Sequence, residues 1–469
     1  MMNQLNELMN FDILKNCGKH NNGIIIIQNT NSRYYLYNNL AKRTLGYFVN
    51  ETKPVGLEGA YNYYLKGESI KILMKNITNK VLIPINNFAI NKYLIDIPKG
   101  NDIISSINIS IQDMIHQIML KSLISNDADW GTAILMEVNT GYIRAIVNLS
   151  KENENIYIEK YNYAIGFSCE PGSVFKLPSI MVGLEDNKFN IYDNVDSSNE
   201  IIFYGVKISN ASKNNKINNL ITAFAKSSNV AIAKIITDYY HKNPIQFINR
   251  LKSFGLNNKL ENIDIPGSGK VFITSPSNKN WSNLSLPCMS YGYGISLTPL
   301  QILTFYNAIA NNGNMVKPLF VTAIKNNLDK TIQNVEIESI NNNIASNNTI
   351  KNAQVLLKSV IQNGTGKHLR SAKCAISGKT GTTIIFNQKH GYNNVKKQYR
   401  SSFCGYFPSD APLYSITVMI SNPKNGKYYS SDIVLPIIKE ITDKIILKEM
   451  QYYIDIDTLP IISNNNFVK

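Results

Sequence analysis

Strand-like segments placed at both ends of a long, mostly helical stretch constrain this chain's fold more than any other feature. Residues 131–138 (GTAILMEV) and 142–147 (YIRAIV) flank Asn139, Thr140 and Gly141, the pattern of a tight hairpin. Strand character then returns only at 373–383, 401–407 and 414–420. A doubly wound sheet alternates strand and helix throughout, so it is excluded. The pattern predicts an α/β fold of the α+β kind: an antiparallel sheet assembled from both ends of one domain and flanked by helices. Ile111, Met114, Ile115, Ile118 and Leu123 recur at helical spacing and predict a packed helix over 109–125. A last helix is expected over 436–449, and 341–348 reads as an exposed loop.

A chain of 469 residues has room for two or three domains. Residues 1–103 alternate short β-like runs with Asn, Gly and Pro and end in a turn-rich join at 98–102, which reads as a small separate domain. The four isoleucines at 24–27 fall far short of a membrane span, and the first twenty residues carry Asp12, Lys15 and Lys19 and lack a long apolar core, so they do not read as a signal peptide. The formal charge of +15 favours an anionic partner, but the lysines are scattered. They accompany an excess of Asn, Ile and Tyr, whose codons are rich in A and T, so a reduced, biased genome explains them better than a nucleic-acid footprint. Cys17, Cys169, Cys288, Cys374 and Cys404 form no close pair, and the five histidines never fall at i, i+4. No metal and no cofactor is expected.

Three short motifs carry chemistry. Pro171, Gly172, Ser173, Val174, Phe175 and Lys176 precede an apolar run, which puts Ser173 in the first turn of a helix and Lys176 one turn on, on the same face. A serine hydroxyl becomes a nucleophile when a neighbouring base takes its proton, and a lysine serves once burial or another cation favours its neutral form. Ser227, Ser228 and Asn229 lie between two helical runs, where a loop can project Ser227 and Asn229 into a cleft. Gly378, Lys379, Thr380, Gly381 and Thr382 interrupt a strand with two glycines, a pattern that points to close approach of a ligand backbone. Gly364–Lys367 lacks the residues of a phosphate loop, and 291–294 (YGYG) reads as a core segment without a chemical role.

These motifs and the segments GLEGAYNYYLKGE (56–68), TGYIRAIVN (140–148), YNYAIGFSCEPGSVFK (161–176), MSYGYGISLTPLQILTFYNAIANNG (289–313), SGKTGT (377–382) and FCGYFPSDAP (403–412) resemble class B penicillin-binding proteins. They are most similar to the septal, FtsI-type enzymes of the Bacteroidetes. The resemblance implies a truncated N-terminal pedestal domain over 1–103 and a transpeptidase domain over 104–463. It implies a D,D-transpeptidase that cross-links peptidoglycan stem peptides: Ser173 attacks the terminal D-alanyl-D-alanine donor, and an amine of a neighbouring stem accepts the acyl group. By the same resemblance Lys176 is the base, Ser227 relays a proton, Asn229 holds a substrate amide, and Lys379, Thr380, Gly381 and Thr382 bind the donor carboxylate. The N–H groups of Ser173 and Thr382 form the oxyanion hole, and β-lactams acylate Ser173.

A septal glycosyltransferase and other divisome proteins are the implied partners, and the envelope face of the inner membrane is the implied place. By the resemblance, the chain is expected to start inside the pedestal, without the usual anchor or export signal. Pro178 is expected to bend the nucleophile helix, and Val434 and Leu435 replace small residues expected ahead of the last helix. A β-lactamase or carboxypeptidase is disfavoured because no Ω-loop glutamate is evident. The competing reading from another class is a non-catalytic division scaffold retained in a reduced genome.

Overall fold

The computed structural model describes residues 36–37, 40–48, 53–67, 74–78, 81–84 and 100–457, except 197, 212–216, 257–262, 327, 387–390 and 393–396. The isoleucine run, Cys17, His20 and His390 lie outside them. The described chain forms two compact units: the smaller takes in Tyr61–Ile103 and Ile324–Gln333, the larger Asn39–Ala60, Ile104–Ala323 and the chain from Asn334 onward. In the smaller unit, Met74–Thr78 and Val81–Pro84 pair antiparallel. There the Asn101 N–H donates to the Tyr64 carbonyl at 2.8 Å.

The larger unit is built on one antiparallel sheet of six strands. These are β1 (Trp130–Glu137), β2 (Ile143–Asn153), β3 (Ile156–Ile158), β4 (Ser377–Ile384), β5 (Tyr399–Phe407) and β6 (Tyr414–Ser421), in the order β4-β5-β6-β1-β2-β3. The two ends of the domain meet where β6 pairs with β1, from Tyr414 opposite Glu137 to Ser421 opposite Trp130. Interior positions of β1, β5 and β6 are buried on both faces, which is why these strands read as apolar runs without alternation. Helix α1 (Ile109–Asn126) and the other helices that matter here supply the cover: α2 (Lys176–Glu185), α3 (Leu220–Ala225), α4 (Asn229–Tyr240), α5 (Pro299–Ala310), α6 (Asn347–Asn363) and α7 (Ser430–Asp457). Successive strand residues point to opposite faces. Tyr414 donates to Glu449 of α7 at 3.0 Å, and Ser415 donates to Asn307 of α5 at 2.7 Å, so α7 and α5 lie on opposite sides of the sheet.

Strand β3 is short, and the outer edge of β2 before it would be left unpaired. Side chains close it. Gln112 of α1, fully buried, donates from Nε2 to the Ile146 carbonyl at 2.9 Å and accepts the Ile146 N–H on Oε1 at 2.7 Å. Its amide therefore replaces one residue of a neighbouring strand. The Asn108 N–H donates to the Arg144 carbonyl at 2.9 Å, and Ser106 Oγ donates to the Ile143 carbonyl at 2.9 Å. Covering an edge in this way removes a template for pairing with other chains.

The last helix begins at Ser430, six residues before the expected start, and carries Pro436 in its interior. Both Pro436 and Asp432, whose carbonyl loses its helical donor, are exposed, so water can serve that carbonyl while Ile433, Val434 and Leu435 are buried. Val434 and Leu435 thus lie inside the helix and not ahead of it. The 341–348 segment is only partly a loop. Ile344 and Ala345 are buried, Ser346 caps the next helix, and Asn347 and Asn348 are its first residues. Cys169 and Cys404 are buried, Cys288 and Cys374 half-buried, and all four are free thiols.

The edge closure is testable. Gln112→Leu keeps the volume and leaves the Ile146 N–H and C=O without partners, so stability should fall by roughly 2–4 kcal/mol. A shift of the urea unfolding midpoint measures it, and an unchanged midpoint would show that the edge does not need the side-chain amide.

Candidate active site

Gly172–Phe175 forms a 3-10 turn that runs directly into α2. Ser173 therefore precedes the α-helix instead of occupying its first turn. Gly172 has φ 58°, and a Cβ there would lie 2.2 Å from Thr383 Oγ1, so the turn is pressed against β4 and only glycine fits. From 171 to 180 every residue is buried except Ser173, which is half-buried and lines an open cleft. Pro178 falls in the first turn of α2, which continues the 3-10 turn, so the one donor it removes is the N–H that would reach back to the Val174 carbonyl, and its effect is local.

The second motif sits between α3 and α4. Ser227 has φ 59°, the left-handed position that ends α3: its N–H donates to the Phe224 carbonyl at 3.0 Å and the Ser228 N–H to Ala223 at 2.8 Å. A non-glycine residue in this region stores strain of about 1 kcal/mol or more, and here it turns both oxygens of Ser227 toward one amine. Ser228 caps α4 by accepting the Ala231 N–H at 3.1 Å. Asn229 was expected in the loop and is instead the first residue of α4, its Nδ2 donating to the Ser209 carbonyl at 3.0 Å.

Lys176 is fully buried. Its Nζ lies 2.7 Å from the Ser227 carbonyl, 2.7 Å from Asn229 Oδ1 and 3.0 Å from Ser227 Oγ. Lys379, equally buried, reaches the same Ser227 Oγ at 2.9 Å from the opposite side, and its Nζ also donates to the Thr380 carbonyl at 3.0 Å. The Phe224 ring lies 5.6 Å from that ammonium. Burial and the neighbouring Lys379 charge hold the Lys176 amine well below the ordinary lysine range. Burial brings Lys379 down to about 7. Two cations cannot share one hydroxyl without water at low cost, so the proton leaves Lys176 first. A neutral Lys176 has two N–H donors for its two carbonyl partners and one lone pair for the Ser227 hydroxyl. That hydroxyl then donates to Lys176 and accepts from Lys379, which links the two amines by a continuous path for a proton.

The cleft measures about 460 Å³ and is lined by Ser173, Ser227, Asn229, Thr380 and Thr382 together with residues the sequence had not singled out. Of the expected set, Lys379 stands behind Ser227, and Gly381 is buried. The glycines of the third motif face the protein: a Cβ on Gly378 would lie 2.3 Å from the Phe403 ring, and one on Gly381 2.5 Å from Ser402 Oγ. Neighbouring side chains, and not a ligand backbone, account for both. Two segments dismissed from the sequence do line the cleft. Tyr293 of the YGYG run is one, its hydroxyl accepting the Ile384 N–H at 3.3 Å. Gly364, Thr365, Lys367 and His368 are the other, with Thr365 and Thr380 hydroxyls 2.6 Å apart and the Thr365 N–H donating to the Ala225 carbonyl at 3.0 Å. Ser430, at the start of α7, bonds the Gly381 carbonyl and lies 3.3 Å from Thr382 Oγ1. Among the described residues no group of His, Cys, Asp and Glu is arranged to hold a metal ion.

Comparison with known proteins identifies the family and the fold. The family described as the penicillin binding protein transpeptidase domain matches residues 131–443. A peptidoglycan D,D-transpeptidase FtsI of Buchnera aphidicola subsp. Schizaphis graminum is 29% identical over 442 residues, which span 92% of this chain and 71% of that protein. The crystal structure of penicillin-binding protein 3 from Mycobacterium tuberculosis in its apo form superposes with a TM-score of 0.73 at 21% identity, covering 89% of this chain and 90% of that one. The same mycobacterial protein in complex with ampicillin gives 0.71 at 21% identity, with 88% of each chain covered. The fold is shared with these structures. The chain belongs to the penicillin-binding protein transpeptidase family.

Proposed function

We propose that this chain is the septal peptidoglycan D,D-transpeptidase of its cell and that it works through an acyl-enzyme on Ser173. The observation that carries this reading is the pair of buried lysine amines meeting on one serine hydroxyl beside a cleft that holds a second, accessible serine. Such a pair supplies a neutral base and, a few ångströms away, a second amine that holds its proton to higher pH. The substrate class follows from the family and the FtsI-named relative.

The steps use groups already in place. The terminal carboxylate of the D-Ala-D-Ala donor lies against Thr380 and Thr382 with the Lys379 charge behind them. Ser173 Oγ attacks the carbonyl of the penultimate D-alanine as its proton passes to the neutral Lys176, whose lone pair is freed when the Ser227 hydroxyl rotates away; the Ser173–Lys176 hydrogen bond forms as substrate enters. Strand β4 is the edge of the sheet, so N–H groups on its outer side are available, and those of Thr382 and Ser173 receive the oxyanion. Collapse breaks the peptide bond, and the departing D-alanine amine takes a proton delivered from Lys176 through Ser227. The amine of a second stem then attacks the acyl-enzyme, loses its proton by the same path, and releases Ser173. A β-lactam enters at the first step and stays, because its leaving amine remains tethered.

The same reading assigns 104–463 to the transpeptidase domain and 1–103 to a pedestal that places it, with a septal glycosyltransferase and divisome proteins as partners. We place the cleft on the periplasmic face of the inner membrane, where stem peptides are cross-linked. Among the described residues no helix is long and apolar enough to cross a membrane.

Incubation with fluorescent penicillin should give a single covalent adduct, mapped by peptide mass spectrometry to Ser173. A folded protein with no adduct would favour the non-catalytic scaffold. Lys176→Met should lower the acylation rate by at least about a thousandfold with the unfolding transition retained; wild-type acylation would place the base elsewhere. Lys379→Met removes the cation that, after burial, holds down the Lys176 amine. The Lys176 pKa then rises, less of it is neutral at a given pH, and the acid limb of the acylation profile should move to higher pH. An acid limb that stays in place would uncouple the two amines.

A further inference from the structure

We infer that the Tyr306 hydroxyl is a positioning group for the nucleophile, fixing the 172–175 turn through the one carbonyl that Pro178 leaves without a helical donor. The inference rests on the assignment of Ser173 as the nucleophile. In a regular helix the N–H of residue 178 would donate to the carbonyl of residue 174. Proline has no N–H, and Val174 is buried, so this carbonyl lacks its regular α-helical donor in the core. Tyr306, on α5 and itself fully buried, donates its Oη to that carbonyl at 2.7 Å. Burial keeps the phenol well above its ordinary pKa, so the group stays a donor at every relevant pH.

On the other side of Ser173, the Gly172 N–H donates to the Gly292 carbonyl at 3.0 Å. Gly292 has φ 95°, and a Cβ on it would lie 2.1 Å from the Gly172 oxygen. The two residues that flank the nucleophile are therefore tied by one hydrogen bond each to a single segment, 292–306. Ser173 is left as the free element between two fixed points. A displacement of Val174 moves Ser173 Oγ relative to Lys176 and the cleft without touching either, which is how a remote hydroxyl enters the rate.

The test is rapid-mixing acylation of the full chain by a chromogenic cephalosporin, which separates the limiting acylation rate from the half-saturating concentration. Tyr306→Phe should lower the limiting rate on the order of tenfold and leave half-saturation within about twofold. Pro178→Ala restores a backbone N–H beneath the Val174 carbonyl, so in that background Tyr306→Phe should cost less than about twofold. A Tyr306→Phe enzyme at the wild-type rate overturns the inference, as does a loss of equal size in both backgrounds. If Tyr306→Phe alone does not fold, the double variant decides: folded and acylating supports the inference, unfolded overturns it. Failure of the wild-type protein to acylate at Ser173 would instead remove the nucleophile assignment beneath it.

Discussion

Two lysine amines without access to water, held on either side of one serine hydroxyl, are the constraint to which the rest of the larger unit answers. Burying a cation is costly, and a second cation beside it doubles the problem. The chain meets the cost with fixed polar partners: the carbonyl and hydroxyl of Ser227, the Asn229 amide oxygen, the Thr380 carbonyl and the Phe224 ring. Each comes from a different local device, a left-handed helix end, a helix start, an edge strand and a core aromatic. If any of these elements shifted, an amine would lose a partner that water could not replace.

That requirement explains why the nucleophile turn is packed so tightly. Gly172 lies against Thr383, and Gly381 leaves no room for a side chain between β4 and its neighbour. The Ser430 hydroxyl bonds the Gly381 carbonyl from the start of α7. The site is a meeting of α2, the α3–α4 junction and β4, and the sheet holds β4 in register through β5 from Ser377 opposite Tyr406 to Ile384 opposite Tyr399. Reactivity is concentrated in the few side chains left facing the cleft.

Much of this was legible in the sequence because the motifs are local. Ser173 and Lys176 are three residues apart, Ser227 and Asn229 two, and residues 377–382 form one strand, so residue type and spacing pointed to their chemistry. The return of strands after a helical middle likewise gave the sheet its assembly from both ends. Contributions made across the fold were not legible. Tyr293 and Thr365 reach the cleft only because Gly292 meets Gly172 and because the end of α6 meets the end of α3, contacts without a sequence signature. The glycines at 378 and 381 were read as space for a ligand because the neighbouring Phe403 and Ser402 are unknown until the strands are paired. The helix start at Ser430 is not legible because a proline reads as the first turn of a helix, whereas burial of residues 433–435 carries this helix through it.

The pairing of β6 with β1 has a consequence for how the protein is made. Ser415 and Met136 are hydrogen-bonded neighbours although 279 residues separate them in the chain. On a ribosome, the hairpin of β1 and β2 emerges long before the strand that will complete its other side, and it must wait with one edge open while the whole helical middle is synthesised. Closure of so long a loop is entropically expensive and slow, and unpaired strand edges are where nascent chains associate with the wrong partner. The Gln112 amide protects one side of that hairpin from the start, since α1 is synthesised first. The other side stays unprotected until β6 arrives, which makes the interval between synthesis of residues 137 and 414 the vulnerable period in this protein's life.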